Sequence, residues 1–166
     1  MLRNGCGSSV MAWMVLAIFV GAAERGISSP TFVESERVWA AVISREISVR
    51  LTADDTLQVM FVSLAGKSPS KRFTKGLSNS PRPIRAVSEC RIDVSSDVPM
   101  SDVRDKRTGK VGMILSLAAV RWTGAKTATV RCTYYAGPLY AGVAFYSLAK
   151  KNGRWSVTAR DQQWIS

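Results

Sequence analysis

The hydrophobic pattern is clearest in the last third of the chain, where four β-rich segments are separated by short turn sequences. In the second segment, Ala128, Val130, Cys132 and Tyr134 alternate with mostly polar residues, which is typical of a half-buried antiparallel strand. Asn152-Gly153 follows the third segment and favours a type I′ turn, which needs positive φ at both positions. The pattern therefore predicts a four-strand meander over residues 113–122, 127–136, 142–150 and 154–160.

An amphipathic helix is predicted near the start of the chain, over residues 31–48. Its apolar residues recur at helical spacing, namely Trp39, Val42, Ile43 and Ile47. Ser29-Pro30 precedes them and favours a helix start, because serine caps a helix and proline suits its first position. We expect the apolar stripe to pack against a sheet, with Trp39 in the core.

The middle of the chain predicts smaller elements. Residues 57–64 are apolar at nearly every position, so we expect a strand covered on both faces. Ser68-Pro69 favours the start of a short helix, and residues 84–90 form a short strand pattern. Residues 91–112 show the least regular pattern and contain a turn signal at Thr108-Gly109-Lys110. The order of these elements predicts one α+β domain over residues 30–166.

Several packing and turn motifs resemble those of secreted bacterial proteins in the nuclear-transport-factor-two-like, cystatin-like superfamily. The motifs are Thr108-Gly109-Lys110, Trp122, the segment 134–139, the segment 153–157 and the ending 164–166. The resemblance covers residues 30–166 and implies a long N-terminal helix packed on a curved antiparallel sheet of about five to six strands that ends in the meander. It also implies a ligand-binding or protein-binding role, by analogy of fold.

The same resemblance does not carry over a catalytic residue. Enzymes of that superfamily use a carboxylate base with tyrosine, or aspartate with histidine, inside the cone-shaped cavity. This chain has no histidine, and its candidate aspartates fall in predicted turns rather than on inward strand positions. They are Asp54, Asp55, Asp93, Asp97, Asp102 and Asp105.

The first 23 residues have the pattern of a cleaved signal peptide. Arg3 supplies a positive charge, an apolar run covers residues 10–20, and small residues follow, so cleavage is expected near Ala22 or Ala23. The alternative is an uncleaved anchor, but the run is shorter than the roughly 20 residues that a spanning helix needs. We expect residues 24–29 to be a linker and the mature protein to be periplasmic or secreted, without a transmembrane span.

Cys90 and Cys132 are the two cysteines that follow the signal peptide. An even pair in an oxidising compartment favours a disulfide bond. The alternative is two buried thiols on neighbouring strands, since a free cysteine packs as a small hydrophobic residue.

The lack of histidine excludes the usual general base and every Ser-His or Cys-His nucleophile pair. With the cysteines paired, a zinc site would consist of carboxylates alone, so no metal site is expected. The spacing of the aspartates does not match a calcium-binding EF-hand loop. The sequence contains no nucleotide-binding glycine motif, no cofactor is predicted, and nucleic acid is not an expected partner.

The formal net charge of +11 indicates that basic segments could bind an anionic partner. The most basic stretch supplies Lys67, Lys71, Arg72 and Lys75 as candidate contacts to an anionic partner; the alternative is a solvated surface that happens to be basic. Tyr135, Tyr140 and Tyr146 are candidate residues for lining a pocket at the mouth of the cone; the alternative is that they are packing residues of the sheet.

Three functions follow from these features, without a catalytic residue to decide between them. The first is a non-enzymatic binding or interaction domain for an unknown ligand, with an anionic envelope component or a protein as its partner. The second is an inhibitor or immunity-type protein that acts against a toxin or hydrolase, although a basic surface would repel a basic target. The third is a small enzyme that uses carboxylate and tyrosine residues in the cone cavity.

Overall fold

The computed structural model describes residues 31–50, 56–93, 102–137 and 140–164. The predicted signal peptide and linker, over residues 1–29, lie outside the described residues. Within those described ranges, no helix is both long enough and apolar enough to cross a membrane.

Two helices and nine strands are present in these ranges. The helices are α1 (Phe32–Arg50) and α2 (Lys71–Gly76). The first strands are β1 (Val59–Leu64), β2 (Ile84–Ala86), β3 (Cys90–Asp93) and β4 (Asp102–Asp105). The later strands are β5 (Gly112–Leu117), β6 (Arg121–Gly124), β7 (Thr127–Gly137), β8 (Tyr140–Lys151) and β9 (Arg154–Trp164).

The α+β class is confirmed, but the predicted number of strands is too low. The main sheet has seven strands in the order β2-β1-β5-β7-β8-β9, with β6 also paired to β7, and β3 and β4 form a separate two-stranded sheet. The predicted strand over residues 113–122 is interrupted at residues 118–120, so β5 and β6 pair with different parts of β7. The predicted strand over residues 84–90 is broken by a 3-10 turn at Val87–Glu89.

The sheet is mixed rather than antiparallel throughout. β1 lies between β2 and β5 and is parallel to both, whereas β5, β7, β8 and β9 are antiparallel neighbours. All six residues of β1 are buried, which confirms that this strand is covered on both faces. Central parallel strands are commonly apolar on both faces for this reason.

The two faces of the sheet are covered by different elements. On one face, α1 packs its apolar stripe against alternate residues of β1, such as Met60 and Val62. Trp39 is buried there, and its indole Nε1 donates a hydrogen bond to the carbonyl oxygen of Ala118 at 3.0 Å. On the other face, Phe61 packs in a smaller cluster with Val103 of β4. The predicted role of Trp39 in the core is confirmed.

The separation of the two faces explains why the predicted disulfide is wrong. Cys132 on β7 belongs to the core beneath α1, whereas Cys90 packs at the cluster on the opposite face. Both cysteines are free. A disulfide requires Cα atoms within about 7 Å of each other, and the main sheet lies between these two thiols.

Two predicted turns are confirmed by the backbone conformation. Asn152 and Gly153 have φ values of 50° and 76° at the β8–β9 hairpin, as a type I′ turn requires. Gly109 has a φ value of 70° in the turn after β4. The carboxylate of Asp105 holds that turn, because its Oδ1 accepts hydrogen bonds from the backbone N–H groups of Arg107 and Thr108 at 2.8 and 3.1 Å.

Candidate functional site

A buried carboxylate lies in the middle of the contact between α1 and the sheet. Glu46 is 0% exposed and accepts hydrogen bonds from Nε of Arg50 on the same helix and from the hydroxyl of Tyr146 on β8. Arg160 on β9 adds a third contact, with its Nε 3.2 Å from Oε1 of Glu46. We call Glu46, Arg50, Tyr146 and Arg160 the interior charge cluster.

Aromatic and polar side chains surround the interior charge cluster. The Arg50 guanidinium lies 3.5 Å from the ring centroid of Tyr134 and donates to the hydroxyl of Tyr140 at 3.3 Å. The hydroxyl of Tyr134 in turn accepts a hydrogen bond from Gln162 at 2.9 Å. Burial lowers the pKa of Arg50, but its hydrogen bond to Glu46 and the Glu46 charge outweigh that effect and raise the pKa above its usual value.

The geometry of the interior charge cluster suits a structural role. A general base needs a lone pair that a substrate can reach, and both carboxylate oxygens of Glu46 already accept hydrogen bonds while the side chain has no exposure. The carboxylate instead balances the buried guanidinium of Arg50 and contacts the partly buried guanidinium of Arg160. An ion pair of this kind is needed because an uncompensated charge in a protein interior is very costly.

Sequence reasoning missed Glu46 although the sequence contained a signal. Glu46 lies four residues after Val42 and three after Ile43, so it is on the apolar face of α1 rather than on the polar face. Arg50 follows four residues later, at the spacing of a helical ion pair. A carboxylate on an apolar stripe with an arginine one turn away predicts a buried pair.

The three predicted pocket-lining tyrosines do not converge on one site. Tyr146 is buried beneath α1, and Tyr140 is partly buried and accepts a hydrogen bond from Arg50. Tyr135 points to the other face of the sheet and packs against the smaller cluster with Phe61. The space between α1 and the sheet is therefore occupied by side chains such as Tyr134 and Tyr146.

The predicted basic contacts lie on and before α2, and the structure divides them into two pairs. All four side chains, Lys67, Lys71, Arg72 and Lys75, are exposed. Lys71 and Lys75 line a groove between α2 and β2, whereas Lys67 and Arg72 do not. The groove forms because Ser70 caps α2, with its Oγ accepting from the backbone N–H of Phe73 at 3.1 Å, and the buried Phe73 side chain fixes the helix on the domain.

The groove between α2 and β2, which we call the cationic groove, has a volume of about 590 Å³. Its basic lining residues are Lys71, Lys75, Arg82 and Arg85, and its hydroxyl residues are Thr74, Ser78 and Ser80. Arg85 is partly neutralised by Asp105, 2.9 Å away. Lys71 and Lys75 make no ion pair with any residue that the structure describes, and no carboxylate lines the groove.

A further groove of about 660 Å³ lies between α1 and the edge strand β9. Its lining is mostly small or hydroxyl side chains, such as Ala41, Ser44 and Thr158, with Arg45 and Arg160 as its charged members. No residue predicted from the sequence as a site residue lies in it.

Comparisons of the chain with protein-family models, with curated proteins and with solved structures found no match. The resemblance to the nuclear-transport-factor-two-like superfamily therefore stays a prediction. In the described ranges, no group of three or more histidine, cysteine, aspartate or glutamate side chains is placed to hold a metal ion.

Proposed function

We propose that this chain is a non-enzymatic binding domain of the periplasm or the secreted fraction, and that its cationic groove binds an anionic component of the cell envelope. The observation that carries the proposal is the arrangement of Lys71 and Lys75 in a groove without a carboxylate. Neither ammonium group is neutralised within the described fold, so both are available to an anion. The proposed location, in the periplasm or the secreted fraction, rests on the expected signal peptide.

The interior charge cluster supports a binding role over the enzyme alternative. An enzyme with carboxylate and tyrosine residues would need an open cavity around them. Glu46 and Tyr146 are a buried carboxylate and a buried tyrosine in contact with each other, and each is less than 2% exposed. Their hydrogen bonds are made to each other and to arginine, so they stabilise the fold rather than face a substrate.

The proposal is tested with phospholipid vesicles that contain phosphatidylglycerol, and with neutral phosphatidylcholine vesicles as the comparison. Binding to the anionic vesicles is measured by co-sedimentation over a series of salt concentrations. We expect binding that weakens with salt, since charge screening reduces attraction to an anionic surface. Failure of the unmodified protein to bind anionic vesicles even at low salt would refute the proposal.

A matched pair of variants locates the binding surface. The double variant Lys71→Ser/Lys75→Ser removes two charges from the cationic groove, and Lys67→Ser/Arg72→Ser removes two charges from the exposed surface beside it. At about 1 kcal/mol for each basic residue near an anionic surface, the groove variant should bind about 30-fold more weakly. The second variant should lose much less. Equal losses would show general attraction to a basic surface and would exclude the groove as the site.

A further inference from the structure

A second, smaller cleft adjoins the cationic groove. It has a volume of about 280 Å³ and lies between α1 and the segment that follows α2. Ser44 and Ile47 line it from α1, and Gly76 and Asn79 line it from the α2 side. Leu77, Ser80 and Pro81 line both spaces, so the cleft and the groove share a wall. We call this second space the apolar cleft.

The two adjoining spaces differ in chemistry. The cationic groove presents lysine and arginine side chains together with hydroxyl groups, whereas no charged residue lines the apolar cleft. Ile47 and Leu77 provide its aliphatic surface, and Ile47 is also part of the main core, so this wall is held by the fold. A ligand that fills both spaces must be anionic at one end and aliphatic at the other.

We propose that the cationic groove and the apolar cleft form one binding site for a single lipid molecule with a phosphate headgroup. The headgroup lies in the groove near Lys71 and Lys75, and the first part of the aliphatic chain lies in the cleft against Ile47 and Leu77. This inference rests on the proposed function and specifies its ligand.

The lining favours a phosphate over other anions. Several cationic donors and hydroxyl donors surround one space, and such a set matches an oxyanion with several acceptor oxygens and more than one charge. An acidic glycan carries hydroxyl groups along its whole length and would leave the aliphatic surface of the cleft unmatched. An aliphatic chain removes that surface from water, which is favourable in proportion to the area buried.

The experiment uses a series of monomeric alkyl phosphates: methyl, butyl, hexyl and octyl phosphate. Affinity is measured by isothermal titration calorimetry below the concentration at which each compound forms micelles. Each methylene that enters the apolar cleft should tighten binding about fourfold, until the cleft is full and the affinity stops rising. Hexanol, which has the aliphatic chain without the phosphate, should bind far more weakly than hexyl phosphate.

Two variants separate the contributions of the two spaces. Ser44 lines both the apolar cleft and the groove between α1 and β9, so Ser44→Phe adds an aromatic ring at the wall that these two spaces share. The ring should narrow the apolar cleft and abolish the gain from butyl to octyl phosphate, while binding of methyl phosphate is retained. Ser48→Phe is the matched control, because Ser48 is exposed one turn further along α1 and does not line the cleft. Lys71→Ser/Lys75→Ser should weaken the binding of every phosphate in the series.

The outcomes distinguish the inference from the proposed function. If all four phosphates bind equally and the lysine variant weakens them all, the groove binds anions but the lipid inference is wrong. If Ser44→Phe and Ser48→Phe reduce the chain-length dependence to the same extent, the apolar cleft is not where the chain lies. If no alkyl phosphate binds while anionic vesicles still bind through Lys71 and Lys75, the single-lipid site is excluded and the surface role stands.

Discussion

Replacing Glu46 tests the interior charge cluster directly. In Glu46→Gln, the side chain keeps its shape but loses its charge, and its amide nitrogen becomes a donor where arginine and tyrosine donors already point. Arg50, which is 4% exposed, then has no compensating charge within the interior charge cluster. Arg160 and Tyr146 exchange the carboxylate oxygen that they share for, at most, a neutral amide oxygen.

The expected loss is large compared with the stability of a domain. Removing one partner of a buried ion pair costs about 3–5 kcal/mol, because the remaining charge stays in a low-dielectric environment. Typical domains have unfolding free energies of about 5–15 kcal/mol. For a domain of this size, the loss corresponds to a decrease in Tm of about 10–15 °C.

The assay is urea-induced unfolding followed by tryptophan fluorescence. The midpoint should fall while the slope of the free energy of unfolding against urea stays constant, which shows that stability has changed rather than the unfolded state. Glu89→Gln is the control, since Glu89 pairs with Arg85 at 3.6 Å with half of its side chain exposed. The control substitution should lower the free energy of unfolding by at most about 1 kcal/mol. A loss of less than about 1 kcal/mol in Glu46→Gln as well would refute the assigned role of the cluster.

Three further predictions concern single residues. Iodoacetamide at about pH 8 should modify Cys90 before Cys132 in the folded protein, because burial raises the pKa of the Cys132 thiol to about 12. Modification of both cysteines at the rate of a free thiol would contradict this prediction. Burial raises the pKa of Asp105, but backbone N–H donors and a neighbouring guanidinium outweigh it and lower the pKa. The stabilising effect of the Asp105 carboxylate is therefore complete above about pH 4 and is lost as the pH falls through its lowered pKa. The urea midpoint of Asp105→Asn should be lower than that of the unmodified protein at neutral pH and should change less between about pH 4 and pH 2. Identical dependence of the two midpoints on pH would contradict this prediction. Gly112→Ala should lower the thermal midpoint and the free energy of unfolding, the latter by about 1–3 kcal/mol, because the added Cβ would lie 2.5 Å from a backbone oxygen of β1. Gly76→Ala is the control and should be nearly neutral, since its added Cβ meets no atom within 4 Å.

The sequence predicted those parts of the fold that depend on local patterns. The apolar spacing in α1, the alternation in β7 and the Asn152-Gly153 turn each follow from neighbouring residues, and each is present in the structure. The predicted antiparallel direction is right for β5, β7, β8 and β9 but wrong for β1 and β2, because alternation is the same in parallel and antiparallel strands. The continuous apolar run of β1 was the available signal for a parallel, central strand.

The candidate site was predicted only in part, because it also depends on contacts between residues that are distant in sequence. The basic stretch identified Lys71 and Lys75, but their separation from Lys67 and Arg72 depends on how the segment with Arg82 and Arg85 folds back toward α2. The wall that α1 contributes to the apolar cleft comes from Ser44 and Ile47, which are distant in sequence from α2. Such juxtapositions arise from tertiary packing and leave no short-range pattern.

The position of β1 in the sheet has a consequence for how the chain folds. Within the C-terminal hairpin, Lys151 pairs with Arg154, so this contact closes over a very short loop. Val59, by contrast, pairs with Gly112, and that contact must wait until the whole intervening segment is arranged. Because loops between distant partners close slowly, we expect the β7–β8–β9 sheet to form first and β1 to enter it late. Until β1 is inserted between β2 and β5, one edge of the early sheet stays unpaired and its apolar faces are open to other chains. Newly made protein is therefore most prone to aggregation in the interval before its N-terminal half completes the sheet.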